Sequence, residues 1–160
     1  MDAIILTKVT AMISGWRWDE RNTAGMASLN SHAFRPKITV FHCLSALADP
    51  SFLSNGKREI KGVKMPCSSI THEVYLLRAF EAGADAIVVL VCPEGQCRYV
   101  EGNLRAAKRV ARVKKLVDEI GLDGRRLNLV NIQHGDKAAV ERIIEQTVNE
   151  LATLGPNPAG

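Results

Sequence analysis

The segment Ala86-Ile87-Val88-Val89-Leu90-Val91 constrains this chain more than any other. It is apolar without polar alternation and mostly β-branched, the pattern of a strand buried on both faces. Such a strand needs helices packed above and below it, which is the layering of an open parallel α/β sheet. From Pro36 onward the sequence provides them, alternating short apolar runs with amphipathic stretches. Strands are predicted over 38–43, around 59–65, over 85–91 and over 127–132. Helices are predicted over 71–82, from about 97 to 120, and from 136 to the stop at Gly155-Pro156.

Thr71 is the expected N-cap of the first helix and Gly83 its end, with Val74, Leu77 and Phe80 or Glu81 defining its faces. In the long second helix, Val100, Leu104, Ala107, Ala111, Lys114 and Val117 share one flank, widened by Val110, Val113 and Ile120, and Gly121 ends it. Val140, Ile143, Ile144, Thr147, Val148 and Leu151 form the inner stripe of the last helix. The expected fold is therefore α/β, an open and mostly parallel sheet of about four strands in flavodoxin-like order, spanning residues 36–155. Residues 1–35 stand apart as an N-terminal arm, and 156–160 as a tail. The arm contains both tryptophans, Trp16 and Trp18. It reads either as a tail folded on its own domain or as an anchor on a partner, since aromatics are favoured at interfaces.

A chain of 160 residues that is 46% hydrophobic can bury a full core without covalent staples. No stretch approaches the roughly 18 continuous apolar residues that a membrane span needs. Asp2 stands where a secretion signal would be basic, so no signal peptide is expected. The formal charge of +4 is mild, and the aromatic content of 5% does not interleave with basic residues, which argues against a nucleic-acid platform. No glycine-rich phosphate loop is present, and Ser68 and Ser69 lack a nucleophile elbow. His32, His72 and His134 read as surface or capping residues.

The chain has four cysteines, Cys43, Cys67, Cys92 and Cys97. They are too few for a secreted disulfide scaffold, and a reduced cytoplasmic setting fits them better. Three of them each follow an apolar run, so parallel strands would bring Cys43, Cys67 and Cys92 to the carboxyl edge of the sheet, where sites form in such folds. Pro93-Glu94-Gly95-Gln96 is a turn that returns Cys97 to the same edge, at the start of a helix whose dipole favours thiolates. Four sulfurs match the ligand count of an iron–sulfur cluster or a structural zinc ion. The spacing is neither that of a zinc ribbon nor that of a ferredoxin. Buried inert cysteines and a Cys92/Cys97 redox dithiol are the other readings.

The stretch Gly83-Ala84-Asp85-Ala86-Ile87-Val88-Val89, followed by Cys92-Pro93-Glu94-Gly95-Gln96-Cys97-Arg98-Tyr99-Val100-Glu101-Gly102-Asn103 and by Arg109-Val110-Ala111-Arg112-Val113-Lys114-Lys115-Leu116, resembles the iron–sulfur delta subunit of methyl-viologen-reducing hydrogenase. A weaker match reaches back to Phe41-His42-Cys43 and Met65-Pro66-Cys67-Ser68, so the likeness covers roughly residues 37–132. The resemblance implies a 2Fe–2S cluster held by Cys43, Cys67, Cys92 and Cys97. It implies an electron-transfer role in a hetero-oligomeric anaerobic oxidoreductase complex, without bond chemistry of its own. The implied partners are a bifurcating flavoprotein similar to heterodisulfide reductase A and a second redox subunit. That second component would be of hydrogenase, formate dehydrogenase, methylenetetrahydrofolate reductase or benzoyl-CoA reductase type. A structural adaptor with zinc or no metal, and a Cys92/Cys97 thiol–disulfide protein, are the alternatives. Family members usually have two further cysteines around the first strand end, where this chain has His42 and Ala46. His42 is therefore a candidate substitute ligand, and Arg98 a candidate tuning charge beside the cluster.

Arg98, Arg105, Lys108, Arg112 and Lys115 recur along one face of the long helix, beside Arg109. They read either as a solvated face or, with the Trp16 and Trp18 arm, as docking residues for an acidic partner surface.

Overall fold

The computed structural model describes residues 34–54 and 56–159. The arm with Trp16 and Trp18 lies outside the described residues. Four strands form the sheet: β1 (Lys37–Cys43), β2 (Glu59–Met65), β3 (Ala86–Val91) and β4 (Leu127–Asn131). All neighbours pair in parallel, in the order β2-β1-β3-β4, the flavodoxin-like order expected. Three helices cover it: α1 (Glu73–Glu81), α2 (Gly102–Glu119) and α3 (Lys137–Leu154). Every residue of β3 is buried, which is what its unbroken apolar run requires of a central strand.

Strand alternation divides the core. Ile38 and Val40 of β1 lie in register with Ala86 and Val88 of β3 and pack with Val140, Ile144 and Leu151 of α3. The alternate residues are left for the opposite layer, where α1 and α2 pack against each other. α1 buries Tyr75, Leu76, Ala79 and Phe80, while Val74 is exposed, so its inner face is turned from the one expected. The cause is the start of the helix. Thr71 does not cap it but sends its hydroxyl to Met65 Sδ at 3.2 Å, and His72 takes the N-cap position.

A larger correction concerns α2, which begins at Gly102 and not near Cys97. Residues 97–101 are a tight loop in which Val100 adopts φ 65°. The inner stripe of the helix is Ala106, Val110, Val113 and Val117. Val100, Leu104 and Ile120, expected on the buried flank, are exposed. The basic face fares better: Arg98, Arg105, Lys108, Arg112 and Lys115 are all exposed. α3 matches its expected stripe, with Asp136 Oδ1 accepting from Ala139 N at 2.9 Å as its cap.

At the amino edge of the sheet, the Arg126 side chain is buried and donates to the carbonyls of Leu122, Asp85, Leu154, Gly155 and Pro156. The last residues are tied into the same knot, because Asn157 N donates to Asp85 Oδ1 at 2.8 Å and Asn157 Nδ2 to Phe80 O and Ala84 O. Replacing Arg126 with Met keeps the bulk and orphans several buried acceptors. Each orphan costs about 1–3 kcal/mol, and Arg126→Met is expected to destabilise the fold by about 3 kcal/mol or more. Urea unfolding should show a lower midpoint at unchanged slope.

Candidate metal centre

The carboxyl edge of the sheet gathers all four cysteines. Cys43 is the last residue of β1, Cys67 lies two residues past β2, and Cys92 immediately follows β3. Cys97 sits in the loop that leads into α2. The sulfurs come together as two pairs. Cys92 Sγ lies 3.8 Å from Cys43 Sγ, both buried. Cys67 hydrogen-bonds to Cys97, and both sulfurs face Gly102 at the first turn of α2. The pairs are close enough that Cys92 senses the charge of Cys97 and Cys67 as well as that of Cys43. Among the described residues, no three His, Cys, Asp or Glu side chains close on a single point as a ready-made metal site.

Electrostatics differ between the pairs. Burial, followed by the neighbouring Cys43 thiol, pushes Cys92 up to about 12. Burial also acts to raise Cys97, but there the amides of Tyr99, Asn103 and Gly102 and the hydrogen bond from Cys67 prevail, and its pKa falls below the ordinary thiol value. Ser69 N donates to Cys67 Sγ at 3.4 Å. The loop and the first turn of α2 thus aim backbone donors at sulfur, as helix N-termini do for anions.

Gly102 is what lets the helix approach. A Cβ there would lie 2.5 Å from Cys67 Sγ and 3.1 Å from Cys97 Sγ. Two asparagines hold the loop. Asn103 Nδ2 donates to Cys92 O at 3.2 Å and to Pro93 O at 3.0 Å, and Asn131 Nδ2 donates to Cys92 O at 2.8 Å. Arg109, read from the sequence as one more surface cation, donates instead to Ser69 O and Thr71 O and so pins the loop that bears Cys67. His134 Nδ1 approaches Ser45 O at 2.9 Å and joins two further loops of this edge. None of these contacts had a local signal. The Gly102-Asn103 pair was the only visible hint, since glycine before a helix marks close backbone approach.

The other expected site residues are placed as follows. Arg98 is exposed beside Cys97. His42 is not brought to the sulfurs: it neighbours Cys43 on a strand, so its side chain takes the opposite face. There its Nδ1 meets Leu47 O at 2.8 Å, and burial lowers its pKa. It lines a groove of about 540 Å³ with Asp49, Ser51, Ser54 and Lys64. Arg105 pairs with Glu101 at 3.4 Å and Arg112 with Glu73 at 2.8 Å, both at the surface.

Changing Asn103 to Asp preserves size but removes both donations to the Cys92-Pro93 backbone and adds a negative charge among four thiols. Metal sites lose roughly 10–100-fold in affinity when an outer hydrogen-bond partner is removed. Asn103→Asp is expected to bind iron at least that much more weakly, measurable as iron per chain after anaerobic reconstitution.

The donor set fits an all-cysteine dinuclear cluster: four sulfurs in two pairs, backbone amides directed at them, and a glycine where a side chain would intrude. Comparison with known proteins agrees with this chemistry. The chain is 34% identical over 99 residues to the iron–sulfur subunit of an F(420)-non-reducing hydrogenase from Methanocaldococcus jannaschii, covering 62% of this chain and 74% of the relative. It is 31% identical over 128 residues to the corresponding iron–sulfur subunit from Methanococcus maripaludis, covering 77% of this chain and 96% of the relative. It is also 32% identical over 116 residues to part of a much longer protein, the A-type component of a CoB–CoM heterodisulfide reductase from Methanosarcina acetivorans, covering 71% of this chain and 15% of that one. The family model described as methyl-viologen-reducing hydrogenase, delta subunit, matches residues 38–155, and the chain belongs to that family.

Proposed function

We propose that this protein is an electron-transfer subunit with one 2Fe–2S cluster on Cys43, Cys67, Cys92 and Cys97. It would relay electrons between a bifurcating flavoprotein similar to heterodisulfide reductase A and another redox module of an anaerobic complex. The observation that carries the reading is the pairing of the sulfurs, Cys43 with Cys92 and Cys67 with Cys97, since a dinuclear centre takes two ligands on each iron. The relatives point the same way, two being iron–sulfur subunits and a third a heterodisulfide reductase component with a segment like this chain.

The cluster, when bound, supplies one-electron oxidation and reduction. The protein's own residues do the rest. The thiolates hold the iron, and the amides of Ser69, Tyr99, Gly102 and Asn103 stabilise charge on sulfur and so set the potential. Arg98 adds a cation to the same end. Arg105, Lys108, Arg112 and Lys115 face outward for docking. The surface ion pairs of Arg105 and Arg112 are worth little and can be exchanged for a partner's carboxylates. Trp16 and Trp18 are the arm's candidate anchors. No helix among the described residues is long and apolar enough to cross a membrane.

The test is purification without oxygen, followed by iron, sulfide and zinc analysis and by spectroscopy of the reduced state. The expected protein is brown, with about two irons and two sulfides per chain. Colourless protein with stoichiometric zinc, or without metal, would overturn the reading in favour of a structural adaptor.

A further inference from the structure

We propose that the flavoprotein docks on the lip around Cys97, formed by Leu44, Tyr99, Val100 and Leu104, and that electrons cross on the Cys97 side of the site. This rests on the electron-transfer reading above. Cys43, Cys67 and Cys92 are buried, whereas Cys97 is partly open. Electron transfer weakens steeply with separation, so a partner gains most by seating where the sulfur cage is thinnest.

The surface at that place is unlike an ordinary solvated loop. Tyr99, Val100 and Leu104 are 58%, 79% and 47% exposed within a six-residue span, and Leu44, the residue after Cys43, is exposed on the same edge. Arg98, Arg105, Glu94 and Glu101 surround them. An aromatic and aliphatic centre with arginines and a charged rim is the composition of a protein interface. Val100 adds an independent sign. A β-branched residue at φ 65° is strained, and glycine would take that conformation freely. The strain holds an isopropyl group in solvent, where within this chain it packs against nothing that would offset the cost. A receiving pocket on a partner accounts for it.

The flavoprotein is the occupant that the comparisons favour. In the heterodisulfide reductase protein of Methanosarcina acetivorans, a segment like this chain is part of one longer polypeptide, so the two modules stay together covalently. A separate chain needs an adhesive surface for the same proximity.

The experiment uses the full chain, loaded with iron and sulfide, and the heterodisulfide reductase A-type flavoprotein of the same organism. Binding is measured at equilibrium, with iron per chain determined for every variant. The Tyr99→Ala/Leu104→Ala double variant is expected to bind at least tenfold more weakly per iron-loaded chain. Val100→Gly is expected to raise the thermal midpoint while weakening binding, opposite signs that a purely structural role would not give. Ile120→Ala, at the far end of α2, should bind like the wild type. Undiminished binding by the lip variants, or a loss confined to Ile120→Ala, would overturn the proposal. So would lip variants that change only this chain's own oligomeric state, which would mark a self-interface. If the iron-loaded wild-type chain does not bind the flavoprotein at all, the functional reading fails, and the lip assignment with it.

Discussion

Cys43→Ser, Cys67→Ser, Cys92→Ser and Cys97→Ser are each expected to bleach the anaerobically purified protein. Loss of a neighbouring hydrogen bond already weakens metal sites roughly 10–100-fold, and loss of a ligand should exceed that. Four sulfurs are all this chain has, so no spare cysteine can step in. His42 cannot either, since it is held on the far face of β1 by its contact with Leu47 O. The four variants should nonetheless differ once the metal is absent. Cys43 and Cys92 pack in the apolar cluster with Val40, Leu90 and Val140, where an added hydroxyl costs about 1–3 kcal/mol if it finds no partner. Cys97 is only partly buried and already surrounded by amide donors that a serine oxygen could accept from. All four should lose iron, but only Cys43→Ser and Cys92→Ser should also lower the denaturation midpoint of the metal-free protein. A thiol–disulfide protein working through Cys92 and Cys97 would instead keep its activity in Cys43→Ser and Cys67→Ser. The sulfur contacts already run differently from that reading, with Cys92 against Cys43 rather than Cys97.

How much of this could be read in advance depended on the range of the interaction. The strands were legible because β-branched apolar runs report burial locally, and the carboxyl-edge placement of three cysteines followed from parallel pairing alone. The last helix was legible because Asp136 and Gly155 bracket a continuous stripe. The second helix misled because Val100 and Leu104 continue its apolar periodicity backwards, while the chain there turns tightly to aim amides at Cys97. A site that needs donors thereby overrides helical periodicity for one turn. Arg109 and Asn103 were opaque for another reason. Their partners are backbone carbonyls 40 and 11 residues away in sequence, and nothing in side-chain chemistry encodes which carbonyl will be near.

Gly102→Ala is expected to abolish cluster binding while leaving the metal-free fold intact or slightly firmer. The backbone gives alanine no difficulty, because Gly102 begins an α-helix and is not among the positions with positive φ. Helix propensity by itself favours alanine by about 1 kcal/mol over glycine. The obstacle is local. The new methyl would stand 2.5 Å from Cys67 Sγ, 3.1 Å from Cys97 Sγ and 3.5 Å from Ser69 N, so one sulfur pair must move apart or the helix must lift away. Either movement removes the Gly102 amide from Cys97 and separates two ligands that have to share an iron. The thiols can rotate away at small cost when no metal binds them, which is why the metal-free protein should tolerate the change. Gly56 is the internal control: it has open space around it, and Gly56→Ala should leave iron binding untouched. Chemical denaturation and iron analysis on the same preparations give the two signs. If Gly102→Ala destabilised the metal-free protein as severely as it reduced iron content, the glycine would belong to the fold. Loss of iron at unchanged stability would show that its missing side chain makes room for the sulfurs.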